Sequence, residues 1–230
     1  MSGLIRDIGR RVRAPINRAS AFKALAAFHA QQHSLEQTVD MAIKFPSQGL
    51  FRVESIQQRS EIQALARAVA AITPRNILEI GTARGGTLFI WAHLASHKVV
   101  SCDIENPGMR RPLYEAFPPP GSNCKVSHLT GNSHDSTFKA KVESEFAGEP
   151  VDFLFIDGDH TEKGVEQDYQ DYKHLVRPGG LIAFHDIIEK QALPTNQVYY
   201  FWERLKQKTE TVEFIDNVDQ VGYGIGLVKV

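Results

Sequence analysis

Apolar and polar positions along the chain alternate between two periods from about residue 59 onward. Glu61–Ile72 carries Ile62, Leu65, Ala66, Val69 and Ile72 at helical spacing and is stopped by Pro74. Ile77–Ile80 is a short apolar strand, followed by the small-residue turn Gly81–Gly86 and a helix running to about Ser96. Val99–Cys102 reads as a second strand ending at Asp103. Pro107, Pro112 and Pro118–Gly121 then break the chain into a short helix and a loop. Further strands are expected at Lys125–Leu129, Val151–Ile156 and Leu181–Phe184, with helices at Ser136–Phe146, Thr161–Val176 and Thr195–Lys208. Thr211–Ile215 and Tyr223–Val228 close the chain as a hairpin at one sheet edge.

Near-continuous apolar strands alternating with helices imply a sheet covered on both faces. The predicted fold class is α/β: a doubly wound, mostly parallel, Rossmann-like sheet with an antiparallel terminal hairpin. Right-handed crossovers put every strand-to-helix loop at one rim, where open α/β sheets bind ligands. Gly81–Gly86, Asp103, Asp157 and His185-Asp186 should therefore converge there.

Composition sharpens this picture only at the N-terminus. The net charge of −1 hides six basic residues in positions 1–30 (Arg6, Arg10, Arg11, Arg13, Arg18, Lys23) against Asp7 alone. Leu4, Ile5, Ile8 and Val12 share a helical spacing, so residues 1–50 are expected to be a basic helical arm preceding a domain over 51–230. Such an arm can pack on its own domain or on a neighbouring copy, giving a homo-oligomer; contact with an anionic membrane or nucleic acid is the alternative use. No run approaches the ~20 apolar residues of a membrane span. Two cysteines, Cys102 and Cys124, make no disulfide framework, which suits a reducing, cytoplasmic setting.

The chemistry begins at Ile-Leu-Glu-Ile-Gly-Thr-Ala-Arg-Gly-Gly-Thr, residues 77–87. Gly81 and Gly85 allow close backbone approach to a ligand, and the following helix presents unpaired N–H groups. A dinucleotide fingerprint would require glycine at position 83, where this chain has Ala83. Asp103, 22 residues after Gly81 at the next strand end, is placed to accept both ribose hydroxyls of an adenosine. Asp157, Asp159 and His160 follow the fourth strand, and His185 and Asp186 the fifth. Carboxylates on neighbouring strands repel, so a cation or a retained proton is expected among them. A divalent metal would fall to Asp157 and Asp186, with His185 as a further ligand. Magnesium prefers oxygen, so ligation by His185 would favour a softer ion.

Phe-Ile-Asp-Gly-Asp-His (155–160), Val-Arg-Pro-Gly-Gly (176–180) and Ala-Phe-His-Asp-Ile (183–187), joined to the glycine loop, narrow the picture. Across about residues 55–228 the chain resembles class I S-adenosylmethionine-dependent methyltransferases. Within that class it is similar to the cephalosporin hydroxylase-like and metal-dependent natural-product sugar O-methyltransferases. The resemblance implies that Glu79, Gly81, Ala83, Gly85 and Asp157 line the cofactor, that Asp103 holds its ribose and that Ser133 lies against adenine. It also implies His160 as general base, three residues after the metal-binding Asp157. A sulfonium donor with an amino-acid tail suits carboxylates and backbone dipoles, whereas a pyrophosphate prefers a helix N-terminus free of anions. The expected reaction is methyl transfer from S-adenosyl-L-methionine to a hydroxyl of a sugar or secondary metabolite, with no nucleic-acid partner. A nicotinamide-dependent oxidoreductase and a catalytically inactive binding module are the competing functions.

Overall fold

The computed structural model describes residues 2–230, with side chains described from residue 12 onward. Seven strands form one sheet in the order β3-β2-β1-β4-β5-β7-β6. They are β1 (Asn76–Ile80), β2 (Lys98–Asp103), β3 (Lys125–Thr130), β4 (Val151–Ile156), β5 (Val176–His185), β6 (Thr211–Phe214) and β7 (Ile225–Lys229). The first five are parallel, and β7 runs antiparallel between β5 and β6. The α/β class and the edge hairpin expected from the chain are therefore observed.

Strand alternation sorts the core into two layers. Ile77, Val99, Phe153, Phe155, Leu181 and Leu227 face one way, onto α1 (Ser2–His29), α2 (Leu35–Ile43), α3 (Arg59–Ala71), α4 (Gly86–Leu94) and α5 (Arg111–Glu115). Leu78, Ile80, Val100, Leu154, Ile182 and Phe184 face the other, onto α6 (Ser136–Glu145), α7 (Glu162–Tyr172) and α8 (Val198–Lys206). Trp91 of α4 seats edge-on against Phe153, ring centroids 5.0 Å apart. In α8, Phe201 and Trp202 are core residues, while Tyr200 faces solvent.

Several boundaries differ from the sequence expectation, each for a local reason. The helix expected over 161–176 ends at Tyr172, because Val176 already pairs with Val151 of β4. The Arg-Pro-Gly-Gly segment is then absorbed as an irregularity inside β5 rather than as a turn before it. The last strand starts at Ile225, since Tyr223 and Gly224 both take positive φ (65° and 80°). α4 stops at Leu94 rather than Ser96, which leaves His97 outside it. His93 packs on Phe89 and Phe28, and His97 reaches Asn76.

The N-terminal segment is helical and packs within its own chain. Ala14, Ala21 and Leu25 are buried in the same core layer as α3 and α4, so oligomerisation through this arm gains no support. Val12, expected on the packed stripe, is 71% exposed, and the side chains of Leu4, Ile5 and Ile8 lie outside the described residues. No helix among the described residues is long and apolar enough to cross a membrane.

Candidate active site

The loop after β1 makes the tightest turn of the rim. Gly81 adopts φ 99°, and a Cβ there would sit 2.0 Å from the Asp157 carbonyl oxygen. Only glycine can occupy such a position. Asp157 N–H in turn donates to the Ile80 carbonyl at 2.8 Å, so the glycine loop and the loop after β4 are one unit. Gly85 (φ 75°) caps α4, and its missing Cβ leaves room for the Tyr114 ring. Ala83 is also left-handed, at φ 44°.

Asp103, ending β2, organises this loop. Its Oδ2 accepts from the N–H groups of Thr82 (3.0 Å) and Ala83 (2.7 Å), and its Oδ1 accepts from Glu105 N–H at 2.8 Å. Each carboxylate oxygen offers about two acceptor directions, which leaves capacity for ribose hydroxyls. The Gly131-Asn132-Ser133 loop follows β3 alongside, with Gly131 N–H on the Asp103 carbonyl at 2.9 Å and the Ser133 carbonyl receiving the Tyr172 hydroxyl at 2.7 Å.

Glu79 departs from its expected role. It is fully buried beneath the loop, where Trp91 Nε1 donates to it at 2.8 Å and the Ser101 hydroxyl also donates. Ser101 continues to the Thr82 hydroxyl at 2.6 Å. Burial pushes the Glu79 carboxyl up to about 7 despite these donors, and the Asp157 charge adds to the rise. Its side chain thus braces the 81–86 loop from within the core rather than standing at the open rim.

The ionisable cluster assembles across β4 and β5, which are neighbours as expected. His160 lies between two carboxylates, its Nε2 3.2 Å from Asp157 Oδ1 and its Nδ1 3.6 Å from Asp186 Oδ2. His185 Nδ1 is 3.1 Å from Asp157 Oδ1 and 3.5 Å from Asp186 Oδ1. Burial alone would raise the Asp157 carboxyl, but the two imidazoles outweigh it and hold the group below the usual carboxylate range. His160 is raised chiefly by its bond to Asp157. His185, which burial would lower, is brought up to about 9 by the Asp157 charge and hydrogen bond, then by Asp186. The protonated His185 so offsets part of the charge of the two carboxylates.

Among the described residues, those that could jointly hold a divalent cation are Asp157, His160 and Asp186, whose ligand atoms all lie within 4.8 Å of one another. Two carboxylate oxygens and an imidazole nitrogen suit manganese, iron or zinc as well as magnesium. His185, expected as a ligand, is the more deeply buried histidine and anchors Asp157 from below. Asp159, expected in the cluster, turns away: its Oδ1 accepts from Thr161 N–H at 2.9 Å and its side chain packs against Gly164 at the start of α7.

Three partners were invisible to sequence reasoning. Gln57 Nε2 donates to Asp157 Oδ2 at 2.8 Å, itself held by the Ser55 hydroxyl. Asn196 Nδ2 donates to Asp186 Oδ2 at 2.6 Å, and Tyr223 N–H donates to Asp186 Oδ1 at 3.0 Å. None belongs to a motif, and they lie 100, 10 and 37 residues from the carboxylates they hold.

Comparison with known proteins agrees with this arrangement. A family model described as a methyltransferase domain matches residues 78–187, the stretch from β1 through the end of β5. An O-methyltransferase from Bacillus cereus, solved with S-adenosylhomocysteine, superposes with TM-score 0.60 at 19% identity over 87% of this chain and 92% of its own. TomG from Streptomyces achromogenes, an O-methyltransferase of tomaymycin synthesis solved with S-adenosylmethionine, gives 0.56 at 16% identity over 87% and 92%. The MycE methyltransferase of the mycinamycin pathway, solved with magnesium and S-adenosylhomocysteine, gives 0.58 at 16% identity over 86% of this chain and 55% of its own. Residues 78–187 thus match the methyltransferase-domain model, and the chain has the fold of these methyltransferases.

Proposed function

We propose that the chain is an S-adenosylmethionine-dependent O-methyltransferase acting on a hydroxyl of a small molecule, a sugar or a secondary metabolite. The observation that carries this is the packing of Gly81 on the Asp157 carbonyl, which brings the donor loop and the ionisable cluster to one rim. The donor supplies a methyl group to the acceptor oxygen by in-line displacement, and alignment is the main source of rate. Gly81, Ala83 and Gly85 bring backbone against the methionine portion, Asp103 accepts from the ribose, and the Ser133 loop borders adenine. His160, 42% exposed, donates Nε2–H to Asp157 and in its neutral form takes the acceptor hydroxyl proton at Nδ1.

Asp157 and Asp186, with His185 or, in place of its role as base, His160, would hold a divalent cation, which would lower the pKa of acceptor hydroxyls. The protonated His185 offsets part of the carboxylate charge, and Gln57 and Asn196 hold Asp157 and Asp186 in place.

Calorimetric titration with S-adenosylhomocysteine and, separately, with NAD tests the assignment. Saturable binding of the first and none of the second is expected, and the reverse result overturns the reading in favour of an oxidoreductase. Methyl transfer assayed with and without a chelator then decides the metal.

A further inference from the structure

A second concavity adjoins the donor loop on its N-terminal side. It encloses about 910 Å³ and is lined by Ala14 of α1, Leu50, Met109 and three arginines, Arg52, Arg84 and Arg110. That volume lies within the range of small-molecule sites. Among the described residues no carboxylate lines it.

The three guanidiniums are fixed differently. Arg52 donates to Glu54 Oε1 at 2.7 Å, and Arg84 donates to the other oxygen of the same carboxylate. Arg110 lies above the Tyr114 ring at 5.9 Å, and its hydrogen bonds among the described residues go to the main-chain carbonyls of Pro107 and Arg52, at 3.4 and 3.5 Å. One carboxylate therefore serves two arginines, and the third is held by carbonyls alone. Arg52 and Arg84 keep 51% and 43% of their side-chain surface open. Planar guanidiniums that are positioned but under-neutralised are suited to bidentate capture of an oxyanion.

The location connects this cleft to the chemistry. Arg84 follows Ala83, whose N–H is bound to Asp103, and the 106–110 segment leaves β2 three residues after Asp103. We propose that the acceptor of this enzyme carries a phosphate group that seats between Arg52, Arg84 and Arg110 while its hydroxyl reaches the Asp157–His160–Asp186 cluster. This names the substrate class for the methyltransferase reading and rests on it. The cleft selects a hydroxylated anion over its neutral counterpart, because the neutral compound leaves the guanidiniums unmatched.

The test is calorimetric titration of the full chain, with and without S-adenosylhomocysteine, in 0.15 M salt. The probes are inorganic phosphate, pyrophosphate, glucose 6-phosphate and glucose. Saturable binding of at least one phosphate probe and none of glucose is expected. The Arg52→Gln/Arg110→Gln double variant should weaken it tenfold or more, with partial recovery in Arg52→Lys/Arg110→Lys, each variant checked for a native thermal melt. No binding of any phosphate probe, or equal binding by the glutamine variant, overturns the proposal. If the glutamine variant instead loses affinity for S-adenosylhomocysteine alone, the arginines serve the donor's own carboxylate and the acceptor assignment falls. Failure of the wild type to bind S-adenosylhomocysteine refutes the methyltransferase reading and leaves the phosphate result to be judged separately.

Discussion

Glu79→Gln is the substitution whose effect can be worked furthest from the structure. The carboxyl is fully buried, and desolvation lifts it to about 7 from an ordinary 4.5. The folded state therefore holds its proton more tightly than the unfolded chain between those two values. Stability is greatest below the unfolded pKa, falls as pH rises through the window from 4.5 to about 7, and levels off above it. At 1.36 kcal/mol per unit, the loss between pH 5 and pH 8 is on the order of 2–3 kcal/mol. Glutamine keeps the shape, can still accept from Trp91 Nε1, and can meet Ser101 by reversing that hydroxyl's role. Since the variant has no proton to lose, it should gain on the wild type as pH rises. Urea denaturation of both proteins without ligand at pH 5 and pH 8 measures this as a difference of differences, in which the histidines common to both cancel. A gap that changes by less than about 0.5 kcal/mol between the two pH values would refute the argument that burial dominates at Glu79.

Gly81→Ala places a methyl 2.0 Å from the Asp157 carbonyl oxygen at φ 99° and should cost at least ~3 kcal/mol of stability, read by thermal melting, with loss of S-adenosylhomocysteine binding in calorimetry. His160→Ala removes the proposed base and should lower kcat by roughly 10²–10⁴ on a turned-over acceptor while donor affinity stays within a few-fold; equal turnover eliminates the base assignment. Asn196→Ala breaks a charge-assisted bond of 2.6 Å to Asp186 and should reduce kcat/KM about tenfold or more at unchanged donor affinity, measured in the same assay.

The parts of this protein that were legible in sequence are those set by local pattern. β1 and β4 are short, apolar and bounded by Gly81 and Asp157, so their limits and their shared rim followed from period and topology. Val176 misled because one residue served two patterns: it fits the apolar face of the preceding helix and also opens β5 opposite Val151. Asp159 misled because its neighbours in sequence, Asp157 and His160, are true members of the cluster, while its own oxygen is taken by the helix start at Thr161. Glu79 was legible as important but not as buried, since a strand residue two before the turn could face either the rim or the layer beneath it.

What the sequence withheld most completely is how Asp186 is held. The residue sits at φ 63°, a left-handed conformation that aspartate tolerates at some cost, and so depends on its surroundings to stay there. Tyr223 N–H and Asn196 supply two of its partners. The segment carrying Tyr223 is pinned in turn by Glu61 at the start of α3, whose Oε2 accepts from Gly224 N–H at 2.9 Å and whose Oε1 accepts from Asp216 N–H at 3.1 Å and Gln220 at 2.8 Å. A buried carboxylate on one face of the sheet thereby fixes the loop that fixes the site carboxylate. Gln57, just before the same helix, holds Asp157. The entry to α3 is therefore a shared abutment for both carboxylates. Their separation, which decides whether a cation or a shared imidazole fits between them, is set by the pairing of β4 with β5 and trimmed by a helix start outside every recognisable motif.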